Sequence, residues 1–222
     1  MRKLVLIIAL AFAVGCGSDE GAHDHSHDHS NDHSHDHSSA PVPPADGHLG
    51  HFADHANMES SPGAADAPVE LQFIDTMIAH HQGAVDMARM VEARGEDPRF
   101  KLFASRIVEA QEREITEMKR WRDKWFEGRS EAVNMDFPGM RDGMSGMDMK
   151  RLDGLSGRDF DLEFIRQMIP HHEGAVVMAR ALMDTKNYPE LRKLADTIIK
   201  EQTAEIEQMR KWEAEWASSQ KN

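Results

Sequence analysis

Cysteine is almost missing from this chain: Cys16 is the only one among 222 residues. A disulfide within the chain and a thiolate metal cluster are both excluded. Positive charge is scarce, with 26 Lys and Arg against 39 Asp and Glu, a formal net charge of −13. Loss of a leader carrying Arg2 and Lys3 would take −13 to −15. No basic stripe is present, so nucleic acid is a poor partner and cations are good ones. The apolar run from Leu4 to Val14 is too short to span a bilayer as a helix. No Ser-His-Asp set, phosphate loop or paired catalytic carboxylate motif is evident, which favours a binder over an enzyme.

What is abundant is methionine and histidine, 15 and 14 residues. Four of the histidines lie in a stretch that occurs twice. Phe73 to Arg89 (FIDTMIAHHQGAVDMAR) returns as Phe164 to Arg180 (FIRQMIPHHEGAVVMAR), 91 residues later. The same offset relates Pro98 to Pro189, Gln111 to Gln202, Glu114 to Glu205, Met118 to Met209, and Trp121 and Trp125 to Trp212 and Trp216. One structural unit has been duplicated without a net gap. At 100° per residue Phe73, Met77, His81, Ala84 and Ala88 share one helical stripe, with His80 and Met87 on its flank. A thioether and an imidazole three or four residues apart can serve one ion, whereas adjacent histidines diverge. Methionine at this spacing is also ordinary core filler, but two identical copies in a chain rich in both residues favour coordination.

In chain order, Met1 to Gly15 reads as a secretory signal, and Ala13-Val14-Gly15-Cys16 resembles a bacterial lipobox. The resemblance implies lipidation of Cys16 and an envelope lipoprotein facing the periplasm or exterior. Residues 16–68 contain almost no large apolar residues and are expected to be a disordered tether. Within it His23, His25, His27, His29, His33, His35 and His37 alternate with Asp or Ser, and His48, His51 and His55 come after them, a set suited to Cu(II), zinc or nickel. Four amphipathic segments follow over 69–218. Repeat one covers 69–127, a connection 128–157, and repeat two 158–218. Asp66 is expected to cap the first helix and Gly95 to end it, Asp97-Pro98 to start the second, and Asp159 or Asp161 to cap the third, which runs to about Asp184. Pro170 inside the third helix predicts a kink just before His171. The connection reads as a flexible loop whose Met135, Met140, Met144, Met147 and Met149 offer thioethers to Cu(I) or Ag(I). Glu114 and Glu205, with Met118 and Met209 one turn on, are candidates either to bind the ion or to orient the histidines.

The doubled Met-Ile-x-His-His-x-Gly-Ala-x-x-Met-Ala motif, with Gln-x-x-Glu-Ile-x-x-Met-x-x-Trp after it, resembles a bacterial domain-of-unknown-function family, number 305. That family includes CopM-type copper-binding proteins, and the resemblance covers Leu71 to Trp216. It implies an exported, ferritin-like four-helix bundle that binds copper or silver. Carried across, the candidate ligands are Met77, His80, His81 and Met87, and Met168, His171, His172 and Met178. The family pattern commonly has Pro before the His pair, so Ala79 departs from it. The patterning independently gives an all-α, antiparallel four-helix bundle of two tandem hairpins. No Glu lies three residues before a motif histidine, so a di-iron centre does not fit. Three functions stay open: a membrane-anchored binder that sequesters Cu(I), Cu(II) or silver or hands it to a partner protein, a Cu(I) oxidase, and a structural bundle with a zinc- or nickel-scavenging tail. If the motif histidines are ligands, leucine at both His81 and His172 is expected to remove binding and leave the fold intact or more stable.

Overall fold

Helix punctuation in the sequence is obeyed closely. A computed structural model of the protein, which describes residues 58–219, has α1 at Val69–Arg94, α2 at Pro98–Trp125, α3 at Met140–Met144, α4 at Met149–Asp153, α5 at Gly157–Ala181 and α6 at Pro189–Ser219. Gly95 follows α1 in an extended conformation, and Asp97 caps α2 by accepting from Arg99 N with Pro98 in its first turn. The signal segment, Cys16 and the ten histidines before residue 58 lie outside the described residues.

Long helices α1 and α2 form one hairpin and α5 and α6 the other. The hairpins meet along α1 and α5, which run antiparallel. Asn187, after α5, donates to Glu70 at the start of α1 (3.4 Å), while Arg94 at the end of α1 donates to the Asp153 carbonyl before α5 (2.6 Å). The result is the expected all-helical bundle of two tandem hairpins. Its core is the predicted stripe: Phe73, Met77, Ala84 and Ala88, with Phe164, Met168, Ala175 and Ala179, are all buried. At the α2–α6 seam Phe100 meets Trp212 and Trp216 edge-on, at 5.6 and 5.5 Å. Trp125 stacks on Tyr188 at the other end (4.4 Å). Between these aromatic closures lies a cleft of about 420 Å³, with Glu114, Trp121 and Glu201 in its walls. No helix among the described residues is long and apolar enough to cross a membrane.

Several local expectations are corrected. Asp66 does not cap α1: it ends a 3-10 helix, Ala64–Asp66, and the cap position is Pro68. Gln72 holds that entry segment instead, donating to the Ala67 carbonyl at 2.7 Å. The end of the expected tether is ordered too, since Ser61 N donates to the Val133 carbonyl (2.8 Å) and Met135 N to Ser60 Oγ (2.9 Å). Neither Asp159 nor Asp161 caps α5, which begins after Ser156 and ends at Ala181 rather than near Asp184. Asp161 is fully buried and accepts from the backbone N–H groups of Glu96 and Asp97, each at 3.2 Å. It thereby satisfies the donors of the α1–α2 turn, a long-range role invisible to a local capping rule. Helix α5 continues across Pro170.

The largest correction concerns 128–157. This segment is not a flexible loop. It runs along the α1–α5 face and contains α3 and α4, and its five methionines are all buried. Polar side chains on the motif helices fasten it. Asp75 accepts from Ala132 N (2.9 Å) and Arg122 Nε (2.7 Å), and Thr76 Oγ1 accepts from Asn134 N (2.9 Å). In repeat two Gln167 Oε1 accepts from Asp148 N (2.8 Å), and Glu163 pairs with Arg151 (2.7 Å).

Candidate metal centre

The motif histidines sit at mid-bundle because a 3.6-residue period turns their stripe inward. All four are completely buried. His80 and His171 stack across the α1–α5 contact with ring centroids 3.7 Å apart. His171 Nε2–H donates to the His80 carbonyl at 3.1 Å. Their neighbours diverge, as helical geometry requires: the His80 and His81 ring centroids are 6.3 Å apart, those of His171 and His172 6.2 Å.

His81 and His172 point the other way, towards the second helix of their own hairpin. His81 Nε2 is 2.7 Å from Glu114 Oε2, and His172 Nε2 is 2.8 Å from Glu205 Oε2. A carboxylate can only accept here, so each imidazole carries its proton on Nε2 and turns the lone pair on Nδ1 to the interior. Neither Nδ1 has a hydrogen-bond partner. That is the arrangement in which a carboxylate fixes the tautomer of a ligating histidine. This geometry suits Glu114 and Glu205 to orienting the histidines. The same bonds undo the stability expectation for leucine at His81 and His172, because removing either imidazole strands a carboxylate.

Among the described residues no three His, Cys, Asp or Glu side chains converge as an ion site. A core ion with three or more ligands would draw on other groups as well, and methionine is the abundant one. Met77 and Met87 on α1 and Met168 and Met178 on α5 are fully buried on the helices that carry these histidines, and Met118 on α2 and Met209 on α6 are fully buried on the helices that carry the two glutamates. Gln111 and Gln202, one turn before the two glutamates, are buried and have side-chain atoms without partners.

The family model for the domain of unknown function DUF305 matches residues 21–122 and 70–213, two overlapping stretches that cover most of the chain. The chain belongs to the DUF305 family. Among solved structures it is similar to CopM in the Cu(I)-bound form, 42% identical with a TM-score of 0.57, covering 66% of this chain and 96% of that one. CopM in an Ag-bound form obtained by co-crystallization gives 43% identity and the same TM-score, covering 66% and 96%. A DUF305 protein of Streptomyces coelicolor is 28% identical with a TM-score of 0.60, covering 67% and 92%. An uncharacterized protein of Acanthamoeba polyphaga mimivirus is 40% identical over 47 residues, 21% of this chain and only 31% of its own length.

In this DUF305 chain the residues missed at the sequence level are those that seat the connection: Asp75, Thr76, Glu163, Gln167 and the glycines Gly83, Gly143 and Gly174. The signal was available for two of them, since Gly83 and Gly174 recur at one register position in mid-helix, where glycine costs about 1 kcal/mol relative to alanine.

Burial, then the neighbouring His171, His81 and His172, hold the His80 imidazole well below its ordinary pKa of 6.5. It stays neutral and able to bind metal. For a base whose folded pKa is depressed, the unfolded chain takes up the proton first. Stability is thus intact above pH 6.5 and is lost as pH falls from there towards the native value, by up to about 1.4 kcal/mol per pH unit for this residue. Urea midpoints measured from pH 7.5 to 5 should fall accordingly, and more steeply in the natural chain than in His80→Asn. Parallel curves would contradict this.

Proposed function

We propose that this protein binds copper and silver ions in its bundle, through imidazole and thioether ligands, and stores or passes on the ion without turning it over. The observation that supports it most is the pair of His–Glu units, which present buried Nδ1 lone pairs beside buried methionines. Neutral ligands in a buried site suit a monovalent soft cation, because the cost of desolvating an ion rises steeply with its charge. CopM, captured with Cu(I), Cu(II) and Ag, is the relative that gives this reading its direction. Imidazoles of the His-rich segment would add a second class of site for Cu(II), zinc or nickel, and a lipidated Cys16 would hold the protein at the envelope membrane.

The test is calorimetric titration of the mature chain, with and without residues 16–57, using Ag(I), Cu(I), Cu(II) and Zn(II). Loss of the segment should abolish most Zn(II) binding and leave Ag(I) and Cu(I) binding nearly unchanged. A shortened chain that binds no Ag(I) would leave the third reading, a bundle whose tail alone takes metal. Oxygen consumption during repeated Cu(I) additions would instead favour the oxidase.

A further inference from the structure

The two motif copies are alike in sequence but not in what covers them. A Cβ placed on Gly83 would lie 3.2 Å from Met147 Cε, 3.4 Å from Met147 Sδ and 3.6 Å from Met144 Cε. A Cβ on the equivalent Gly174 would lie 2.5 Å from the Gly139 carbonyl oxygen and 2.7 Å from Gly143 Cα. Thioethers therefore sit over the first glycine and bare backbone over the second. One turn before Gly83 is His80. Its Nε2 would be 2.8 Å from a Cβ on Gly143, the residue next to Met144. Both His80 ring nitrogens are buried, and neither makes a hydrogen bond of good geometry, the nearest polar neighbour being the His171 backbone.

We propose that the two copies have diverged, and that a single site for a soft monovalent cation is built on the first copy alone, from a ring nitrogen of His80 and the thioethers of Met144 and Met147. The second copy is the seat on which the connection rests. This inference rests on the reading of the chain as a copper and silver binder, and it adds to the lone pairs of His81 and His172 a site that only the first copy has.

The physical case has three parts. An imidazole without a well-formed hydrogen bond in a closed interior is unfavourable, and a bound cation removes that cost. Two thioethers and one neutral imidazole match the low coordination and softness of Cu(I) and Ag(I), whereas Zn(II) would gain only the imidazole and Mg(II) neither kind of ligand. Glycine at 83 and at 143 leaves the space between α1 and α3 to the sulfurs and the ring, where any side chain would intrude. Position 174, in contrast, is filled to backbone contact, so no equivalent ligand pair can stand there.

The experiment is an Ag(I) titration of the full chain carrying [methyl-13C]methionine, read by NMR. Residues 16–57 contain no methionine, so the methyl signals report the bundle alone. Expected are shifts of the Met144 and Met147 methyls that saturate together. Met144→Leu/Met147→Leu should remove one equivalent of Ag(I) from the calorimetric total while the far-UV spectrum is kept. Gly83→Ala, whose methyl enters the space of Met147, should weaken that equivalent by more than about tenfold, the loss that disturbing even an indirect partner of a metal ligand causes. If the methyls of Met77, Met87, Met168 and Met178 shift while those of Met144 and Met147 do not, the inference is overturned and the reading beneath it stands. If Ag(I) moves no methionine signal, that reading fails as well. Loss of two equivalents in the Met144/Met147 variant would also overturn the single site.

Discussion

Leucine at both His81 and His172 should destabilise the bundle, not strengthen it. Each substitution leaves a glutamate without its donor: Glu114, whose side chain is 10% exposed, and Glu205, at 21%. Removing one member of a buried pair costs about 3 to 5 kcal/mol when water cannot enter. Here both carboxylates border the α2–α6 seam, where partial hydration lowers the cost to about 1 to 3 kcal/mol each. Two such losses are a large share of a typical folding free energy of about 5 to 15 kcal/mol. Adding Glu114→Leu and Glu205→Leu should recover most of it, because replacing both partners by apolar groups is close to neutral. Urea denaturation of the double and quadruple variants checks this. A double variant as stable as the natural chain would mean that the two glutamates do not depend on the histidines. Neither variant should retain the Nδ1 contribution to ion binding, so affinity and stability separate in the quadruple variant.

Gly174→Ala is expected to be strongly damaging, although the matching change at Gly83 should be harmless or stabilising to the fold. At Gly83 the neighbour is the end of a flexible methionine side chain, which can rotate away, and alanine gains about 1 kcal/mol of helix propensity. At Gly174 the neighbours are backbone atoms of residues 139 and 143, closer than any Cβ contact allows. To admit the methyl, α3 must lift from α5, and overpacking of this kind costs about 1 to 3 kcal/mol. Lifting also exposes Met140 and Met144, so limited proteolysis should cut within 128–157 in Gly174→Ala and not in Gly83→Ala. Equal melting temperatures for the two variants would refute the packing described for the connection.

The contrast explains how far the sequence could be read. Helix limits at Gly95, Pro98 and Pro189, the inward stripe from Phe73 to Ala88, and the divergence of adjacent histidines all follow from local period and capping chemistry, which act within a few residues. So does the pairing of motif histidines with Glu114 and Glu205 as one of two open readings, because duplication repeats the same 33-residue spacing. What escaped is what depends on distant backbone. Asp161 serves amides 64 and 65 residues away, and Asp75 and Thr76 serve amides 57 and 58 residues away. No periodicity announces such partners. The connection itself misled by composition: glycine and aspartate read as mobile, yet the glycines are where it touches the helices.

The stack of His80 on His171 lies where the two hairpins exchange places, and the His–Glu pairs stand on either side of it. The bond from His81 to Glu114 has its image in that from His172 to Glu205 under that exchange. A contact that maps onto itself is what an isologous dimer interface contains. A protein of half this length, one hairpin per chain, would possess the same stacked imidazole pair at its centre as a dimer and would lose it on dilution. Joining the halves makes the centre independent of concentration, and the joining segment, which no symmetry can duplicate, is the one part free to make the two sides different.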